Sequence, residues 1–182
     1  LFIKTPESAL QGGLVFKYDR EDLKDFLDKV QVEGHFEEST VAFNEINKYF
    51  NEFGTNKVAT FTMQVSGVLN NLDIDGLILR SDNTGIRGNF NFRNMFTEQA
   101  PFVMNAEMED VTSSYYELRS LLPQILGENT LPTSFRKFGQ FTVRGDAEVT
   151  ESSIDAQVNL HTAIGSTYSN LQMTNIDNID DA

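Results

Sequence analysis

Three stretches of this chain superpose by residue type without a gap, and that repetition limits the fold more than any other feature. Ile3, Thr5, Leu10, Gly12, Leu14 and Phe16 form the first copy. Leu79, Ser81, Ile86, Gly88, Phe90 and Phe92 form the second, and Leu160, Thr162, Thr167, Ser169, Leu171 and Met173 the third. In all three the offsets from the first residue are two, seven, nine, eleven and thirteen. Apolar side chains at every second position lie on one face of a strand. The polar stretches within each copy, residues 6–11, 82–87 and 163–168, predict hairpin loops.

A second repeat fills the space between the hairpins. Residues 31–53 match residues 103–125 at a constant offset of 72: Phe36 with Met108, Glu37 with Glu109, Thr40 with Thr112, Phe43 with Tyr115, Ile46 with Leu118. The first half of each copy predicts a strand. The second half predicts a helix, with Phe43, Ile46, Phe50 and Phe53 as its buried stripe and Gly54 as its C-terminal stop. Ser114 and Glu117 form a capping-box signature that Ala42 cannot supply in the earlier copy, and Pro123 ends the later helix. A longer connection, residues 127–137, follows it.

Further alternating runs, Phe61 to Leu69 and Phe141 to Val149, predict strands that return through Leu77–Leu79 and Ile154–Leu160. An additional helix is expected over residues 19–30, capped by Asp19 and striped by Leu23, Phe26, Leu27 and Val30. One unit is thus a strand, a short helix and four strands, recurring about every 76 to 81 residues. The expected organisation is a partial unit over 1–30, units over 31–101 and 102–175, and a truncated start at 176–182. The chain begins with Leu1 rather than Met, which suggests a piece excised from a longer protein.

Consecutive antiparallel strands with one apolar face raise the question of what covers that face. The expected fold class is mainly β: a repetitive antiparallel sheet rolled into a taco-like, solenoid-like trough with a few short amphipathic helices. At roughly 4.8 Å per strand, ten strands give a trough on the order of 50 Å long. A two-sheet sandwich with a dry core is the other solution.

Composition narrows the function. The chain has 182 residues, one domain's worth, and 14 basic against 27 acidic side chains give a net charge of −13. Such a chain repels phosphate backbones, so no nucleic-acid partner is expected. With no cysteine there is no disulfide, thiolate metal site or cysteine nucleophile. His35 and His161 sit at polar strand positions without a second histidine at ligand spacing. Asp73 and Asp75 resemble part of a calcium loop, but Leu77 takes the next ligand position and no Glu closes it. Asp177, Asp180 and Asp181 read as a loop. No enzymatic activity, cofactor or metal is expected.

Leu121-Leu122-Pro123 after a Ser/Tyr-rich helix start, Gly-Asn-Phe-Asn-Phe at 88–92 and Phe-Thr-Val-Arg-Gly at 141–145 resemble the TamB family. These are the translocation and assembly module proteins, here in the Bacteroidetes-type form, within the AsmA-like group of bridge-like lipid-transfer proteins. The resemblance covers the whole chain as an interior segment. It implies a β-taco in the periplasm of a Gram-negative bacterium, anchored at the inner membrane by another part of the protein. It further implies an apolar groove carrying phospholipid acyl chains toward the outer membrane, and a β-barrel partner of the outer-membrane assembly type reached through other parts of the chain. The groove candidates are Leu14, Phe16, Phe61, Met63, Val65, Leu79, Phe90, Phe92, Phe141, Val143, Val158, Leu160, Leu171 and Met173. Phe43, Ile46, Phe50 and Leu118 read as ordinary helix core. A lipid conduit, a β-augmentation scaffold for outer-membrane protein assembly and a passive structural repeat are the three functional classes left open.

Overall fold

The computed structural model describes residues 2–48, 53–97, 99–123 and 133–174. It contains ten strands: β1 (Phe2–Lys4), β2 (Ala9–Lys17), β3 (Gln31–Ala42), β4 (Val58–Val68), β5 (Asn71–Ser81), β6 (Thr84–Arg93), β7 (Val103–Ser114), β8 (Gln140–Thr150), β9 (Ser153–Thr162) and β10 (Gly165–Thr174). They form one sheet in chain order, every neighbour antiparallel, with β1 and β10 as free ends. The helices are short: α1 (Phe26–Lys29), α2 (Phe43–Ile46) and α3 (Tyr115–Leu121), with 3-10 turns at Asp22–Asp25 and Thr133–Phe138. The chain is therefore mainly β, a repetitive antiparallel sheet curved into an unclosed trough.

The hairpin repeat is a repeat of register. Ile3 pairs with Leu10, Leu79 with Ile86 and Leu160 with Thr167, so offset zero faces offset seven each time. The hairpin loops are shorter than the polar stretches predict. The chain turns over residues 5–8, 82–83 and 163–164, and the remaining polar residues already belong to strands. They are the outward side of an alternating pattern, which in sequence looks like loop.

A crease crosses the strands. Between their neighbours β3, β5 and β7 each carry one extra residue, near Glu37–Ser39, Asp75–Leu77 and Glu109–Asp110. Gly12, Gly88 and Gly145 lie beside these bulges on β2, β6 and β8, facing Phe36, Met108 and Val158 across the ladder. A bulge strengthens local twist and bends its strand, so a line of them folds the sheet across its strands. The offset of 72 matches Glu37 with Glu109, one bulge with another. The bulge at Asp75–Leu77 also sets the register of β5: Leu72, Ile74, Leu77 and Leu79 share one face, while Ile78 turns to the other and is 41% exposed.

The repeating unit is a strand, a helix and three strands rather than four, β3-α2-β4-β5-β6 and then β7-α3-β8-β9-β10. Because β3 and β7 run in the same direction, α2 and α3 lie at the same end of the sheet. There Phe43, Ala59 and Leu121 form a small closed core, with Val41, Ile46, Phe53, Leu79 and Leu122 against it. Gly54 is not the stop of α2. α2 ends at Ile46, and the position serves a close approach: a Cβ on Gly54 would stand 1.9 Å from the Ser120 carbonyl oxygen. The Gly54 N–H donates to the Leu121 carbonyl at 2.8 Å. Phe50, most of the residue 127–137 connection and the 176–182 segment lie outside the described residues.

Capping separates the two helices as expected. The Ser114 hydroxyl accepts the Glu117 N–H at 3.3 Å, whereas Ala42 offers α2 no side-chain cap. Ser114→Ala should cost about 1 kcal/mol in urea unfolding, with no change in fold. The expected helix over 19–30 is instead a 3-10 turn and one α turn, and its cap runs backward. The Asp22 carboxylate accepts the Asp19 N–H at 2.7 Å, and of the predicted stripe only Val30 is fully buried. With Leu23 48% and Phe26 39% exposed, this segment has no second layer to pack against, so a longer helix gains nothing.

Candidate functional site

Register places all fourteen groove candidates on one face. One row across the sheet reads Phe16, Val32, Gly67, Leu72, Phe92, Met104, Val149, Ile154 and Met173. The next reads Leu14, Gly34, Val65, Ile74, Phe90, Ala106, Ala147, Ala156 and Leu171. Met63 and Val158 lie on the crease. Beyond it, Phe61, Leu79, Ile86, Val111, Val143 and Leu160 form a further row, with Phe141 past them toward the helical end. Leu72, Ile74, Met104, Met108 and Val111 belong to this face as well, although they are not among the groove candidates. Their signal is the alternation of β5 and β7, which breaks at the bulges and so hides its own continuation.

This face is neither sealed nor fully exposed. Strands pack substantially only against their neighbours in order, and no second sheet faces them among the described residues. Val65, Ala106 and Ala156 in the middle row are under 9% exposed, shaded by larger neighbours. Leu14, Phe16, Leu171 and Met173 near the free edges are 37–44% exposed. Phe61, Met63, Leu79, Phe90, Phe92, Phe141, Val143, Val158 and Leu160 are half-buried. Aromatic contacts run along the face: Phe36 to Phe61 at 6.2 Å, and Phe90 to Phe92 at 6.4 Å between ring centroids. Phe26 and Phe102 extend the contacts at the end opposite α2 and α3, 6.1 Å from Phe16 and 6.5 Å from Phe92. The helices cap the ends of the face and leave its length open. A cavity of about 300 Å³ lined by Ile3, Leu10, Val41 and Ile46 opens at the α2 end. There the Thr5 and Ser8 hydroxyls donate to Glu45, holding its carboxyl below the usual range and tying the β1–β2 loop to α2.

The opposite face is polar. Arg144 donates to the Asp110 carboxylate at 2.8 Å and, with the Thr112 hydroxyl, holds its pKa low. Lys17–Glu33 and Arg87–Glu109 pair across neighbouring strands, and Arg93 on β6 reaches over β7 to Glu148 on β8. These ion pairs are largely exposed, so each contributes little to stability. A concavity of about 640 Å³ lies on this face, and its lining includes the carboxylates of Asp73, Asp75, Glu107, Asp146, Glu148 and Asp155. A hydrocarbon chain gains nothing there, because it would desolvate carboxylates without pairing them. No group of three or more His, Asp or Glu side chains is arranged to hold a metal ion among the described residues. His35 and His161 are exposed on this face, His35 beside Glu37 and His161 beside Ser166.

No described helix is long and apolar enough to cross a membrane. Comparison with protein-family models, with curated proteins and with solved structures finds no match.

Proposed function

We propose that this chain is a lipid-carrying segment of the TamB type: a periplasmic β-trough whose apolar face holds phospholipid acyl chains between inner and outer membrane. The observation that carries this reading is a continuous apolar face over ten strands with no covering layer among the described residues. A contiguous apolar surface of this kind marks an interaction site. Acyl chains suit it because each buried methylene contributes about 0.8 kcal/mol without any directed polar group, while headgroups stay in water. The sequence resemblance supplies the compartment, the anchor elsewhere in the protein and the outer-membrane β-barrel partner. Nothing in this activity requires a catalytic residue.

Native mass spectrometry of the gently purified chain tests the reading. Phospholipid adducts are the expected result. A lipid-free chain that also fails to bind a fluorescent fatty-acid probe would overturn it.

A second reading, a β-augmentation scaffold, is favoured by one observation. β10 is a ten-residue strand that no other strand pairs on its outer edge among the described residues, and nine of its ten residues are exposed. By the hairpin repeat it is the counterpart of β2 and β6, whose equivalent edges pair with β3 and β7. An incoming strand with the alternation of β7 therefore fits it, pairing through main-chain hydrogen bonds. Photocrosslinking from Asn170 distinguishes the two: capture of an unfolded barrel strand supports the scaffold, and capture of lipid alone supports the conduit.

A further inference from the structure

Two guanidiniums at the helical end converge on one aromatic ring rather than on a carboxylate. Arg119 on α3 and Arg136 in the Thr133–Phe138 turn both converge on Tyr115, with guanidinium carbons 5.7 and 5.4 Å from its ring centroid. Arg136 also lies 5.9 Å from the Tyr116 ring, which meets the Tyr115 ring edge-on at 5.4 Å. The Arg119 Nη1 donates to the Tyr115 hydroxyl oxygen at 3.4 Å. Burial of Tyr115 raises its pKa, but the two guanidiniums at its hydroxyl outweigh this and hold it below the ordinary value. Neither arginine forms an ion pair with a described carboxylate, in a chain of net charge −13. Two like charges held on one aromatic platform, with their forks open to solvent, form a cation–π clamp.

We propose that Arg119 and Arg136, held on Tyr115, bind the phosphate group of a phosphoester. Guanidinium matches phosphate oxygens with paired, charge-assisted hydrogen bonds, which a lysine or a hydroxyl cannot reproduce. Tyr115 directly follows β7, and α3 also supplies Leu121 to the small core that closes this end of the apolar face. A diacyl phospholipid could therefore place its chains on the apolar rows and its phosphate at the arginine pair. This assignment of a lipid headgroup rests on the conduit reading; the phosphate site itself does not.

Calorimetric titration of the whole chain with three probes separates these sources: inorganic phosphate, dihexanoylphosphatidylglycerol, and dihexanoylglycerol, which lacks the phosphate. The expected result is that the phospholipid binds about tenfold tighter than the diacylglycerol, the worth of one exposed charge-assisted hydrogen bond. Arg119→Gln with Arg136→Gln should erase that difference while leaving diacylglycerol binding unchanged, and the paired Lys variants should restore only part of it. Both side chains are exposed, so these variants keep the fold. If inorganic phosphate binds and is lost in the double Gln variant while neither lipid binds, the phosphate site stands and the conduit reading falls. Equal phospholipid affinity in native and double Gln chains, or no binding of any phosphate probe, overturns the site.

Discussion

Gly145→Ala should destabilise the protein by about 3 kcal/mol or more, a large part of a typical domain's net stability. Gly145 has φ +133, and a Cβ there would stand 2.1 Å from the Gln157 carbonyl oxygen and 3.0 Å from the Val158 Cα. Both atoms belong to the backbone of β9, so no rotamer change relieves the contact. The strands must separate, or Gly145 must leave a conformation that a side chain disfavours, and either opens the crease. Gly13→Ala is the matched control. Its Cβ would meet nothing within 4 Å, and the substitution should be neutral or slightly stabilising by stiffening the unfolded chain. Urea unfolding of the two variants measures the contrast. Equal midpoints would mean that the crease is not held by its glycines.

The same glycines show how much of the fold the sequence discloses. Gly12 and Gly88 stand at the same offset within their copies, and that coincidence is the crease seen in one dimension. That the hairpins share one register is equally legible, because identical spacing implies identical register, but which residues pair, Ile3 with Leu10 and Leu79 with Ile86, is not. Loop length was not legible. Gly85 and Arg87 continue β6 on its polar side, and a polar side chain facing water in a strand has the same composition as one in a turn. Helix length failed for a related reason. Phe43 and Ile46 share a stripe, but among the described residues a single sheet and the small core at Ala59 and Leu121 are what α2 packs on, and it ends after one turn. The arginine pair leaves no signal in sequence, because Arg119 and Arg136 are 17 positions apart and converge through Tyr115. Period-two alternation also reads the same whether an apolar face is packed or open, so the coverage of Phe90 and its row could only come from the coordinates.

That last distinction makes Phe90→Arg the sharpest test of the proposed function. Phe90 is half-buried, paired with Ile74 and Ala106 and stacked near Phe92 on the open length of the face. An arginine there can lay its stem along the apolar row and carry its charge out to water, so unfolding should be easier by only about 1–2 kcal/mol. Acyl chains crossing the row would have to desolvate that charge, and lipid retention in native mass spectrometry should fall about tenfold or more. Phe43→Arg supplies the comparison. Phe43 is 7% exposed in the closed core, with its ring 5.1 Å from Phe53, and has no route for a charge to water. It should lose at least about 3–5 kcal/mol, the range for emptying an aromatic core site, because the buried unpaired charge adds to that cost. A Phe90→Arg chain that unfolds as readily as Phe43→Arg would mark the face as sealed core. A folded Phe90→Arg chain that keeps its full lipid complement would place the lipid elsewhere. Only a folded variant stripped of lipid agrees with a face that holds acyl chains along its length.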